Sequence, residues 1–154
     1  MLPKYHLILG FFFSLIFFSF LPSIGFLGFM IIFLSSFLID FDHYTPYVIR
    51  NKDFSLKNAL KWHQSVMEIT SKMPREEKNK VYVHMCFLHG IEVLFILFLL
   101  GHFVSHYFYF VLIGFSFHLI IDVIYEQTYW DRIDKLSLIY DYFHFKKLKK
   151  LDGF

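Results

Sequence analysis

Four apolar runs alternate with polar stretches along the chain. Residues 7–21 and 25–39 form the first two, separated by Pro22-Ser23. The third covers about 81–101 and contains Glu92; the fourth covers about 103–125. No charged residue lies between Tyr5 and Asp40, or between Glu92 and Asp122. The pattern predicts an all-α, polytopic membrane protein with four transmembrane helices in two hairpins, at about 6–21, 24–40, 81–101 and 103–125. At ~1.5 Å per residue the first two rise only ~24–27 Å against ~30 Å of hydrocarbon, which a thinned bilayer or snorkelling flanks accommodate. A single helix kinked at Pro22 would reach ~50 Å and overshoot, so the hairpin is preferred.

The polar stretches are patterned too. Leu56, Ala59, Leu60, His63, Val66, Met67, Thr70 and Met73 recur at three- and four-residue steps. They predict an amphipathic helix over 55–73, with Ser55 as N-cap and Pro74 as its stop, lying on the membrane surface or the bundle. A second amphipathic segment covers 131–151 and ends in Lys146, Lys147, Lys149 and Lys150, a cluster suited to anionic lipid headgroups. Residues 1–154 read as one integral membrane domain.

Composition sharpens this picture. Hydrophobic residues make up 56% and aromatics 23% of 154 residues, more apolar surface than a soluble domain this size can hide. All 15 Lys and Arg fall in the N-terminus, 41–80 and the C-terminal stretch, which a four-span hairpin topology places on one side. By the positive-inside rule that side is cytoplasmic, with both termini there and the chain in the inner membrane. A net charge of +2 is too small to point to nucleic acid. Lys4 and the run after it outline a signal peptide, yet Phe20-Leu21-Pro22 lacks a small-x-small cleavage site, so both runs are expected to be retained. The single cysteine, Cys86, excludes an intrachain disulfide and a thiolate zinc cluster. Tyr44, Tyr47, Trp62 and Trp130 suit an interfacial aromatic belt.

The metal-capable side chains gather at the ends of the runs. His6 opens the first; Asp40, Asp42 and His43 close the second; His84 and His89 open the third; His118 and Asp122 close the fourth. Hairpin topology brings all four sets to the same side at similar depth. His118 and Asp122, four apart, stack on one helix face that Glu126 continues; His89 and Glu92 are three apart, as are Asp40 and His43. Imidazole and carboxylate are the usual ligands of zinc and related divalent ions, and a bound ion would offset the cost of ionisable groups near hydrocarbon. The metal ligands are thus expected to be His6, Asp40, His43, His84, His89, His118 and Asp122. Asp42 or Glu92 would act as general base or orient a ligand. Taken singly, several have plainer readings: His6 as an interfacial residue, Asp42 as a solvated carboxylate, Glu92 as a structural hydrogen bond or a protonated acid. His102 and His106 fall at the far side and outside the site; His63 and His144 read as surface or packing residues.

The ordered motifs resemble those of the YdjM-type membrane-bound metal-dependent hydrolases, small polytopic proteins of bacteria and archaea. His6 matches that family's N-terminal His. Ile39-Asp40-Phe41-Asp42-His43 matches its Pro-Asp-x-Asp-His stretch with Ile for Pro. His84 and His89 keep the spacing of its His-Arg-Gly-x-Thr-His-Ser stretch, and His118 to Asp122 matches its His-x-x-x-Asp. The resemblance covers roughly residues 1–125. It departs where Met85, Cys86, Leu88 and Gly90 replace Arg, Gly, Thr and Ser, removing an Arg able to clamp an anion. The family is distantly similar to zinc-dependent phospholipase C and its nuclease relatives. The resemblance implies a membrane-embedded hydrolase using a divalent metal, zinc or manganese, on a phosphodiester or phospholipid at the cytoplasmic interface. The rival expectations are a metal-binding or metal-transporting membrane protein without catalysis, and a structural membrane protein. Ligands gathered at one side, with Glu92 as the one deep acid, weigh against transport.

Overall fold

A computed structural model describes residues 3–129, 133–134 and 136–151. The chain is mostly helical. Helix α1 (Pro3–Phe20) follows the first apolar run and stops at Leu21-Pro22, where proline cannot continue the ladder. Helix α2 (Gly25–Leu38), a 3-10 stretch (Ile39–His43) and α3 (Tyr44–Asn51) then form one helical path. Asp53 and Ser55 turn the chain into α4 (Leu56–Lys72). The Ser55 hydroxyl accepts the Asn58 N–H at 3.3 Å, and Pro74 follows its end, as the sequence predicts. A short α5 (Arg75–Lys78) leads to strand β1 (Val81–Tyr82). The apolar helices α6 (Ile91–Phe103) and α7 (Tyr107–Tyr129) come next, followed by α8 (Leu138–Phe145) and strand β2 (Lys149–Lys150). The two strands pair in parallel, and Tyr82 stacks on Phe145 at 4.9 Å, tying the C-terminal stretch to the chain before α6.

Three of these helices meet through small residues. Helix α2 lies between α1 and α7. A Cβ on Gly10 of α1 would fall 2.0 Å from Ser36 Oγ. One on Gly114 of α7 would fall 2.0 Å from Ser35 Oγ and 2.6 Å from the Ile32 carbonyl. Glycine at both places is therefore a packing requirement, and it brings the backbones of α1, α2 and α7 close enough for short side chains to meet. The outer faces stay apolar: Phe12, Ile16, Phe20, Phe26, Phe95, Phe103 and Ile124 are all exposed.

Two helical paths are long and apolar enough to cross a membrane, Pro22–Asn51 and Tyr107–Thr128. Only 33% and 22% of their apolar windows are buried within the protein, whereas the core helix of a soluble protein is mostly buried. Helices α1 and α6 are shorter, at 18 and 13 residues. The expected third span, 81–101, needs correction. Its first ten residues form β1 and an extended stretch, and helix begins only at Ile91. There the backbone finds its partners elsewhere: β1 pairs with β2, Leu88 N–H donates to Asp42, and Ile91 N–H donates to the Leu136 carbonyl. Among the described residues of the segment expected to be amphipathic over 131–151, Leu138–Phe145 are helical, and Lys146, Lys147, Lys149 and Lys150 continue into a turn and β2. Trp130 and Asp131 lie outside the described residues.

Candidate metal centre

Each element delivers its side chain for a local reason. On α7, His118 and Asp122 are one turn apart, and His118 Nε2 lies 3.5 Å from Asp122 Oδ2. In the 3-10 stretch, residues three apart eclipse, so Asp40 and His43 share a face, with His43 Nε2 3.7 Å from Asp40 Oδ1. Asp42 therefore points elsewhere, into the extended stretch before α6. There it accepts the Leu88 N–H at 2.7 Å and faces His89 Nδ1 at 3.3 Å. His6, on the first turns of α1, stacks on His118 with centroids 4.0 Å apart and sets Nε2 3.2 Å from Asp122 Oδ1.

The result is one buried polar group inside an apolar bundle. His6, His89, His118 and Asp122 are each 2% exposed or less. Asp40 Oδ1 lies 3.5 Å from His118 Nε2 and 4.0 Å from His89 Nε2; Asp122 Oδ2 lies 3.7 Å from His89 Nε2.

Proton placement follows from the partners. His118 Nδ1 lies 2.8 Å from the Ser36 carbonyl, which can only accept, so Nδ1 carries a proton. The Asp42 carboxylate does the same for His89 Nδ1. Both rings thus present Nε2 inward, and the two Nε2 atoms lie 3.3 Å apart. Two lone pairs at that distance repel unless a proton or a metal ion lies between them. Imidazole ligands of metals are characteristically held this way, the outer nitrogen donating to a carboxylate or carbonyl.

The donor set fits a divalent ion. Nitrogen or oxygen donors bonded at about 2.0–2.1 Å in a tetrahedral shell lie about 3.3–3.4 Å from one another. His89 Nε2 and His118 Nε2 lie 3.3 Å apart, and each lies 3.5–4.0 Å from Asp40 Oδ1 and from Asp122 Oδ2, at or slightly above that spacing. His6 Nδ1 and Asp40 Oδ2 are buried with no hydrogen-bond partner among the described residues, a costly state for polar atoms that a cation nearby would relieve. Three overlapping groups could each hold an ion: His6–His118–Asp122, Asp40–His89–His118 and His43–Cys86–His89.

The expected residues separate on this geometry. His6, Asp40, His43, His89, His118 and Asp122 come together, and His6 is buried rather than interfacial. Asp42 is neither solvated nor facing the inner donors; it orients His89. His84 stands outside the inner group, with its Nε2 2.8 Å from His43 Nδ1. Glu92 needs correction: it is turned away from the histidines. Its carboxylate accepts the Ser137 hydroxyl at 2.6 Å and the Leu138 N–H at 2.9 Å, holding the start of α8. Glu126 accepts the Asp134 N–H at 2.9 Å and so also serves a neighbouring segment. Two participants escaped the sequence reading, the Ser36 carbonyl and Cys86. Cys86 Sγ lies 3.4 Å from His43 Nδ1. An extended chain places residues two apart on one side, so His84 and Cys86 both reach His43; the expected helix hid that relation. His63 packs its ring 5.0 Å from that of His43.

Beside the centre, Phe37, Phe41, Tyr44, Leu56 and Leu60 line a cavity of about 230 Å³ whose wall also includes Asp40, His43 and His63. Fold and site together define a class: a helical chain with membrane-length apolar helices and a buried imidazole–carboxylate group able to hold a metal ion. No protein-family model, curated protein or solved structure matches the chain.

Proposed function

We propose that this protein is a membrane-embedded, metal-dependent hydrolase of the YdjM type, acting on the phosphoester of a phospholipid or lipid-linked substrate at the cytoplasmic face. The observation that carries the proposal is the pair of inward Nε2 atoms of His89 and His118, each backed by an acceptor and flanked by Asp40 and Asp122. All four apolar helices cross the bilayer in this reading, α1 and α6 through a locally thinned region. The centre then sits at headgroup depth, on the side to which this topology assigns the polar stretches that carry the Lys and Arg residues.

His89, His118, Asp40 and Asp122 hold the ion, zinc or manganese, and His6 and His43 flank it. Asp42 and the Ser36 carbonyl keep the two imidazoles in the ligating tautomer. A divalent ion held there supplies Lewis-acid polarisation of a phosphoryl oxygen and activation of water at neutral pH. The apolar cavity beside Asp40 receives part of an acyl chain, which orients the phosphoester toward the buried donors. Lys57 and Lys61, exposed on the same helix as Leu56 and Leu60, attract the anionic headgroup.

The test is elemental analysis of detergent-purified protein beside a His118→Ala/Asp122→Ala double variant, followed by phospholipid hydrolysis in mixed micelles. Stoichiometric zinc or manganese in the parent, lost in the variant, together with metal-dependent hydrolysis, is the expected result. Bound metal without hydrolysis of any phosphodiester would leave a metal-binding membrane protein. No metal after loading, with a melting temperature indifferent to chelator, would leave a structural group that shares a proton.

A further inference from the structure

We propose that the C-terminal segment, α8 with β2, docks on anionic lipid headgroups of the cytoplasmic face and thereby steadies the stretch that carries His84 and His89. It rests on the membrane-embedded reading of the apolar helices and is independent of the metal. Ile139, Tyr142, Phe143 and Lys146 recur at three- and four-residue steps and share one face of α8. Ile139, Tyr142 and Phe143 are 63%, 48% and 60% exposed, while Asp141 and Phe145 on the other face are buried. Lys146 Nζ lies 4.1 Å from the centroid of the Tyr142 ring. Lys147, Lys149 and Lys150 follow, all exposed, and Asp141, the one acid in 136–151, is turned inward. The outer face of this segment is therefore apolar and aromatic, bordered by four cations and without a carboxylate. That is the composition of a helix seated at a membrane interface, where apolar burial and attraction to anionic lipid add.

Two anchors set where this face lies. Glu92, in the first turn of α6, accepts the Ser137 hydroxyl at 2.6 Å and the Leu138 N–H at 2.9 Å. No charged residue follows Glu92 until Asp122, so α8 starts where the apolar run begins, at headgroup depth in a membrane-embedded chain. The other anchor is β2, where the Lys149 N–H donates to the Lys80 carbonyl at 2.9 Å and the Leu151 N–H to the Tyr82 carbonyl at 2.8 Å. With the Ile91 N–H donating to the Leu136 carbonyl at 3.0 Å, the segment holds residues 80–91 at both ends, and His84 and His89 lie between. A surface that binds the ordered segment therefore also disfavours opening of that stretch. Each Lys near an anionic leaflet strengthens association about fivefold, so four together supply roughly 600-fold.

Ile139→Cys and Phe95→Cys, each at an exposed position, carry an environment-sensitive fluorophore in the full-length protein; Cys86 is buried, and the parent treated alike is the blank. The labelled proteins are placed in nanodiscs of phosphatidylcholine alone or mixed equally with phosphatidylglycerol, each containing nitroxide-labelled lipid as quencher. The Phe95 label, on α6, reports whether that helix lies in lipid. The Ile139 label is expected to be quenched in the anionic bilayer and much less so in the zwitterionic one. Lys146→Gln/Lys147→Gln/Lys149→Gln/Lys150→Gln keeps the backbone bonds of β2 and should abolish the difference. Salt should do the same, since it shortens the screening length from about 10 Å at 0.1 M to about 3 Å at 1 M. Hydrogen exchange at the Ile91 N–H should be slower in the anionic bilayer and return to the zwitterionic rate in the lysine variant. An unquenched Ile139 label beside a quenched Phe95 label overturns the docking, leaves the membrane reading standing and assigns the stripe to a protein partner. Equal quenching in both bilayers, or quenching that survives loss of the lysines, overturns the anionic partner. Neither label quenched overturns this proposal and the membrane reading together. Unchanged exchange with a docked label overturns the hold on His84 and His89.

Discussion

Asp42→Asn separates the folding role of this side chain from its effect on metal binding. In the parent, one carboxylate oxygen accepts the Leu88 N–H at 2.7 Å and faces His89 Nδ1 at 3.3 Å. Asparagine is nearly the same size, and its amide oxygen can still accept from Leu88, so no buried donor is orphaned. What disappears is the negative charge behind His89. Hydrogen bonds to charged groups contribute about 1.5–3 kcal/mol against about 0.5–1.5 kcal/mol for neutral ones. Loss of such an outer partner typically lowers metal affinity about 10–100-fold, or about 1.4–2.7 kcal/mol. The expected result is therefore a metal-free melting temperature a few degrees below the parent's. Zinc affinity, measured by competition with a chromophoric chelator, should be 10- to 100-fold weaker. At equal saturating zinc, the metal-induced stabilisation should shrink by the same free energy. Asp42→Ala behaves differently, because it removes the acceptor of both the Leu88 N–H and His89 Nδ1 and so also lowers stability without metal. Unchanged zinc affinity in Asp42→Asn would refute the assignment of Asp42 as the residue that orients His89.

Three further outcomes follow from the same contacts. Gly114→Ala should destabilise by about 1–3 kcal/mol in thermal denaturation, because its Cβ would meet Ser35 Oγ at 2.0 Å; a neutral effect would contradict the close α2–α7 packing. Glu92→Ala should cost about 0.5–2 kcal/mol of stability through the lost cap on α8 and leave metal content untouched; a loss of metal would restore Glu92 to the centre. The Tyr47 hydroxyl, then the Asn58 side chain and the Ser55 N–H, hold the Asp53 carboxyl below the usual carboxylate range. A depressed folded pKa stabilises above the unfolded value of about 3.9, and that contribution disappears as pH falls through the folded pKa. Tyr47→Phe should therefore flatten the acid limb of a stability-versus-pH curve, and an identical limb would refute the link.

Much of the centre was legible in the chain. His118 and Asp122 could be paired because a helix repeats every 3.6 residues. The joining of His6, Asp40, His89 and Asp122 followed from helix ends that alternate sides. Elsewhere local rules failed for identifiable reasons. Glu92 was assigned to the histidines because an α-helix was expected through His89. The helix starts later, and the N-terminus of α8, some 45 residues further on, takes the carboxylate. The motif already set Asp40 among the ligands and Asp42 apart as a base or orienting group, but only the 3-10 turn and the extended stretch before α6 show that Asp42 serves the outer nitrogen of His89. Cys86 was set aside as a lone thiol because its neighbours come from other segments.

Helix content, the membrane-length apolar stretches and the clustering of ionisable groups at one end are properties of the sequence by itself. Hydropathy and periodicity act over a few residues and need no partner. Which atom faces which was decided only by tertiary structure. The contacts that set the two tautomers join residues 82 apart, Ser36 and His118, and 47 apart, Asp42 and His89. Ser36 and His118 meet where Gly114 lets α2 and α7 pack backbone to backbone, and Asp42 and His89 meet where the 3-10 stretch faces the segment before α6, so the direction of these donor atoms is a consequence of packing.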